Sequence, residues 1–252
     1  MIRLANVNKV YDGKYALRDI NLTINKGETL AVIGGSGSGK STLLQLLVGL
    51  IRPDSGEIYI GGQEITHLSE KEMDKVRLHM GMVFQYSALF DSMTVGENVA
   101  FGLREHRNLP EEEIQRIIKE KLALVGLPGV ETKLPGELSG GMKKRVGLAR
   151  AIAFEPDIIF YDEPSSGLDP ITTAKIDELI VDMQKKLGVT SVVVTHDMAS
   201  ACRIADRIAM VYEGNLIAVD TVSRFQQIED ERVQAFFNTL HTEKAERDEQ
   251  QA

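Results

Sequence analysis

Gly34, Gly35, Ser36, Gly37, Ser38, Gly39, Lys40 and Ser41 follow directly on the apolar run Leu30, Ala31, Val32 and Ile33, and they lead into Thr42, Leu43, Leu44, Gln45, Leu46 and Leu47. A strand, a glycine-rich turn and the first turn of a helix are the setting in which G-x-x-x-x-G-K-[ST] has a chemical meaning. The turn aims its backbone N–H groups at phosphates, and the helix N-terminus adds about half a positive charge. Lys40 supplies a full charge, and the Ser41 hydroxyl is a ligand for Mg²⁺. A merely flexible glycine turn needs neither the strand before it nor the helix after it. Residues 34–42, Thr42 included, are therefore the expected phosphate cradle.

At 252 residues the chain is long enough for one large α/β domain or two small ones. Cys202 is its single cysteine, which excludes an intramolecular disulfide and reads as a small buried hydrophobe in a helix. The longest apolar stretch, residues 43–51, is interrupted by Gln45 and is far shorter than the ~20 residues a bilayer span needs. Residues 1–6 lack the charged and apolar regions of a secretory leader, so a chain that is neither secreted nor self-anchored is expected. A formal net charge of −8 argues against nucleic acid or an anionic lipid surface as a direct partner. Any membrane role is then borrowed from another protein.

Residues 2–34 read as β structure, in the pieces 2–4, 7–11 and 16–24 before the strand that feeds the phosphate loop. A further strand is expected at 57–60, and Ser69 with Glu72 forms a capping box for a helix to about His79. Met82, Val83 and Phe84 read as a buried strand. Thr94 with Glu97 opens another helix, and Pro110 followed by three glutamates opens a third, with Ile114, Ile117, Ile118, Leu122 and Val125 on one face. Strands return at 158–162 and 191–195, separated by a helix that begins at Asp169 and Pro170 and carries Ile176, Leu179, Ile180, Met183 and Leu187 on one stripe. Strands alternating with helices imply an α/β fold with a mostly parallel sheet. The expected organisation is one unit over 1–240: an α/β core of about 1–85 and 156–225, a helical insertion of about 86–155 and a short helix over 226–240. A polar tail is expected at 241–252.

Four apolar residues, Ile158 to Tyr161, precede Asp162 and Glu163, so a buried strand delivers two carboxylates to the sheet edge where α/β proteins bind ligands. Asp162 suits Mg²⁺, and Glu163 suits the orientation and deprotonation of an attacking water. Ser139, Gly140 and Gly141 open a helix in the same manner as the first loop and make a second anion-binding N-terminus. One chain already cradles its nucleotide with residues 34–41. The second donor set is best explained by the nucleotide of another copy, which predicts a dimer with two shared sites.

Taken together these motifs resemble the ATP-binding subunit of ABC (ATP-binding cassette) transporters, and the resemblance covers nearly the whole chain. It implies a phosphate-loop NTPase core with N-terminal antiparallel strands and a helical subdomain, acting on ATP with Mg²⁺. By resemblance, Tyr11 stacks on adenine and Gln85 touches Mg²⁺ and reports to the membrane subunit. Residues 166–169 correspond to the D-loop, and His196 contacts the γ-phosphate. Met142 departs from the glutamine usual in the signature after Ser139, Gly140 and Gly141. That departure, residues 85–95 and residues 101–106 resemble the ATPase of Mla-type, MCE-linked phospholipid transporters. The implied partners are a second copy, integral membrane permease subunits, an MCE-domain lipid-binding protein and a small STAS-domain regulator, at the cytoplasmic face of the inner membrane. The motor of an amino-acid or small-solute importer shares every catalytic residue. A soluble ABC ATPase of DNA repair or translation is the alternative from another class, and it usually carries a coiled coil, a zinc motif or two cassettes, none of which is visible here.

Overall fold

The computed structural model describes residues 1–237, which fall into two compact units, 1–67 with 192 onward and 68–191.

In the first unit, β1 (Ile2–Tyr11) pairs antiparallel with β2 (Lys14–Ile24) and with β4 (Ser55–Ile60), and β4 carries the short β5 (Gln63–Glu64). β1 is one strand, where two pieces are expected from the sequence. The interruption is a bulge at Asn6, whose φ is 51°. One distant and one neighbouring side chain hold it: Asn6 N–H donates to Asn21 Oδ1 at 2.9 Å and the Asn8 side chain donates to the Asn6 carbonyl at 2.9 Å. The bulge therefore keeps both the N–H and the carbonyl of Asn6 paired.

β3 (Thr29–Ile33) is buried at every position and runs parallel to β9 (Arg207–Tyr212), which pairs antiparallel with β10 (Asn215–Thr221). α1 (Lys40–Leu47) follows β3 across the phosphate loop. α7 (Met198–Ile204) and α8 (Val222–Phe225) complete this unit's core, where Ile33, Met198, Ile208, Met210, Phe225 and Phe237 share one cluster. Cys202 sits half-buried on α7. The helix expected over 226–240 is displaced: residues 226–230 are not helical, residues 231–237 are, and Gln234 N–H reaches back to the Asp230 carbonyl at 2.9 Å. Residues 238–240 and the expected tail at 241–252 lie outside the described residues.

The second unit begins with α2 (Glu70–Arg77), whose Ser69/Glu72 capping box is formed, and β6 (Met80–Val83). Phe84 lies beyond the strand and is exposed, because its carbonyl closes a turn with Ser87 N–H at 2.9 Å. α3 (Val95–His106), α4 (Glu111–Leu124) and α5 (Gly140–Ile152) pack on one another. β7 (Ile158–Asp162) runs parallel to β6, and α6 (Pro170–Leu187) leads to β8 (Thr190–Val194), inside which the boundary between the units falls. On α6, Ile176, Ile180 and Met183 are buried, but Leu187 is exposed because the helix runs past the core to its Gly188 cap.

Asn98, on α3, is fully buried and secures the segment before its own helix. Its Oδ1 accepts from Phe90 N–H at 2.8 Å, and its amide donates to the carbonyls of Phe90, Met93 and Thr94 at 3.1, 3.2 and 3.0 Å. Asn98→Ala takes this partner from Phe90 N–H and the Met93 carbonyl, while the Phe90 carbonyl keeps Met93 N–H at 3.1 Å and the Thr94 carbonyl keeps the backbone N–H of residue 98 at 2.9 Å. The change is expected to cost about 2 kcal/mol in chemical denaturation and to speed amide exchange over residues 90–94. A loss below about 1 kcal/mol would show that the segment holds itself.

Candidate active site

The phosphate loop hangs from a strand with little freedom. Thr29 N–H donates to Asp206 at 2.8 Å and the Thr29 carbonyl accepts from Asp206 N–H at 2.9 Å, which pins the start of β3. At its far end the chain passes two points only glycine can occupy. A Cβ on Gly34, whose φ is 153°, would lie 2.2 Å from the Val211 carbonyl oxygen, and one on Gly39, at φ 113°, would lie 2.5 Å from that of Ala16. α1 then starts with no side-chain cap and no acidic residue in its first turn. Lys40 is buried, and its Nζ donates to the carbonyls of Gly34 and Gly35 at 2.7 and 2.9 Å, so its charge is held over the loop itself. Ser38 Oγ is buried without a hydrogen-bond partner, a polar atom that phosphate oxygens would satisfy. Ser36, Gly37 and Ser41 are exposed, while Gly35 and Thr42 are half-buried. The cradle fits a phosphorylated nucleotide.

Two more expected residues belong to this unit. Tyr11 ends β1, 45% exposed, with Lys9 Nζ 5.3 Å from its ring centroid. His196 is exposed immediately after β8, where Thr195 N–H donates to the Val32 carbonyl at 3.1 Å and Asp197 caps α7 through Ser200 N–H at 3.0 Å.

The second unit holds the remainder. Asp162 ends β7 and Glu163 follows it, both half-buried, and Glu163 takes a left-handed φ of 46°. Gln85 donates through Nε2 to Ser166 Oγ at 3.2 Å, which brings the residue after β6 to the loop after β7. Ser139 caps α5 by accepting from Met142 N–H at 3.3 Å, and Gly140 is exposed beside it. Asp169 caps α6, accepting from the N–H groups of Ile171 and Thr172 at 3.0 Å each.

Sequence reasoning missed two basic residues on α5. Lys144, 5% exposed, donates to the Gln85 carbonyl and, at 3.4 Å, to the Glu163 carbonyl. Arg150 donates to the carbonyls of Ser87 and Ala88 at 2.7 and 2.6 Å. Burial holds the Lys144 ammonium below the usual lysine range, against the opposing pull of Glu163 and Asp162, and burial likewise lowers Arg150. A signal existed for Lys144: it stands at the head of an i, i+3, i+4, i+7 stripe with Gly147, Leu148 and Ala151, all buried, and a cation in such a stripe needs partners.

Residues 17–166 match the model of the ABC transporter family. The chain is 45% identical over 216 residues to the probable ribonucleotide transport ATP-binding protein mkl of Mycobacterium tuberculosis, covering 86% of this chain and 60% of that one. It thus spans about 60% of the length of its mycobacterial relatives. It is 42% identical to the intermembrane phospholipid transport system ATP-binding protein MlaF of Haemophilus influenzae, over 94% of this chain and 89% of that one. Identity to the methionine import ATP-binding protein MetN of Carboxydothermus hydrogenoformans is 46%, over 88% and 67%. Among solved structures, a dimeric ATP-binding cassette in a post-hydrolysis state with ADP and Pi superposes with a TM-score of 0.81 at 36% identity, over 88% of this chain and 99% of that one.

Proposed function

The chain belongs to the ABC transporter family, and from that premise we propose that it is the motor subunit of a membrane transporter whose cargo is phospholipid. It is an ATP-binding, ATP-hydrolysing cassette. The observation that carries the cargo is the likeness to MlaF, which extends over 94% of this chain and 89% of that relative. The likeness to MetN keeps a methionine-type importer as the second reading.

In the proposed mechanism residues 34–42 hold the phosphates through backbone N–H groups, Lys40 faces the β- and γ-phosphates, and Tyr11 stacks on adenine. Glu163 orients the attacking water and takes its proton, and His196 contacts the γ-phosphate. Ser41, Gln85 and Asp162 are the proposed ligands of Mg²⁺, which when bound would offset charge on the phosphate oxygens. One carboxylate with a hydroxyl and an amide suits an ion that keeps phosphate and water ligands. Ser139, Gly140 and Gly141 would serve the nucleotide of a second copy.

Among the described residues no helix is long and apolar enough to cross a membrane. Attachment to permease subunits, at the cytoplasmic face of the inner membrane, is proposed through the patch where Tyr86 is 85% exposed and Phe90 packs on the exposed Phe101 with centroids 4.7 Å apart. An MCE-domain protein and a small STAS-domain subunit complete the proposed assembly.

Glu163→Gln is expected to keep ATP binding while lowering hydrolysis about 10²–10⁴-fold, the worth of a positioned general base. Near-normal turnover in that variant removes Glu163 from the role. Cargo and docking are tested by purifying the chain with its native membrane partners and identifying the co-eluting small molecules by mass spectrometry. Phospholipid is expected with the wild-type chain, and Tyr86→Asp with Phe90→Asp is expected to bind ATP yet lose the membrane partners. Recovery of methionine or another solute in place of lipid would establish the importer instead.

A further inference from the structure

The cations of α5 grip backbone that is otherwise unfavourable. Ser87 and Ala88 have φ of 61° and 44°, and Glu163 has 46°, the left-handed region that side-chain-bearing residues seldom enter. Arg150 donates to the carbonyls of the first two, and Lys144 donates to those of Gln85 and Glu163. The four carbonyls come from two segments far apart in sequence, the turn after β6 and the end of β7. A single buried ammonium therefore ties the main chain at Gln85 to the main chain at Glu163.

We propose that Lys144 is a positioning residue for ATP hydrolysis, holding the backbone of Glu163 in its left-handed conformation and in fixed register with Gln85. The proposal rests on the reading of Glu163 as general base. A carboxylate must meet a water within hydrogen-bond reach, and small displacements of such a group lower the rate steeply. Rotating the Glu163 backbone out of its left-handed φ would swing its carboxylate away while leaving the phosphate loop, which lies in the other unit, unaltered. Lys144 also sits one turn into the helix whose cap Ser139 and first residues Gly140 and Gly141 are the proposed second phosphate site. Movement of that helix on engaging a second copy's nucleotide would reach Glu163 through the same ammonium.

The test is a double-mutant cycle on the full chain with its membrane partners. Lys144→Met is expected to lower kcat about 10–100-fold with KM for ATP changed less than about threefold, since it removes orientation and not binding. Lys144→Arg, which keeps the charge and donors, is expected to restore part of the loss. In a Glu163→Gln background, Lys144→Met is expected to lower the residual rate no further, because both changes act on one group. A folded Lys144→Met chain with kcat within about twofold of wild type overturns the proposal. So do losses that multiply in the double variant. Should Lys144→Met fail to fold, Lys144→Gln is read in the same way, and failure of both assigns the lysine to folding alone. Failure of the general-base reading is distinct, because it shows in Glu163→Gln by itself as undiminished turnover.

Discussion

The proposed cradle meets phosphate with backbone N–H groups, and that requirement accounts for much of the first unit. Backbone donors can converge on an anion only where side chains are absent and where the chain turns from a rigid strand into a helix. β3 supplies the rigidity by being buried at every position and clamped at Thr29 by Asp206. Gly34 and Gly39 supply the passage, each so close to a neighbouring carbonyl that a single added carbon would collide with it. Lys40 then has its charge in place before any ligand arrives, because the loop carbonyls of Gly34 and Gly35 hold it.

The second unit solves a different problem, the support of strained main chain beside carboxylates. Its means is α5, one helix with two kinds of end. The N-terminus presents Ser139 and Gly140 toward solvent, and the buried flank presents Lys144 and Arg150 to carbonyls of the turn after β6, with Lys144 reaching the Glu163 carbonyl after β7. Both cations are partly stripped of water, and their ties are correspondingly costly to break.

Local rules were legible and long-range ones were not. The capping boxes at Ser69 and Thr94, the cap at Asp169 and the strand entering the phosphate loop are set by neighbours within a few residues, and the structure forms each of them. The continuity of β1 through Asn6 depends on the side chain of Asn21, 15 residues away, so the sequence reads as two short strands. Lys144 and Arg150 find carbonyls 19 to 63 residues distant, and the same separation hides their purpose. Phe84 and Leu187 mislead for a simpler reason: an apolar residue continues a pattern one step after the strand or helix has left the core. The site follows the same division. Glycines, Lys40, Ser139 and the carboxylates announce themselves by spacing, whereas Lys144, the proposed positioning residue of Glu163, shows itself only through folded contacts.

In the proposed dimer each nucleotide is served by two copies of the chain, the phosphate loop of one and the Ser139 helix of the other. A mixed dimer of one Lys40→Ala chain and one Ser139→Arg chain, with trapped nucleotide counted per dimer, tests it directly. Shared sites place both lesions in one site and leave the other whole, so one nucleotide per dimer is the predicted result. Two equally impaired sites would contradict the account.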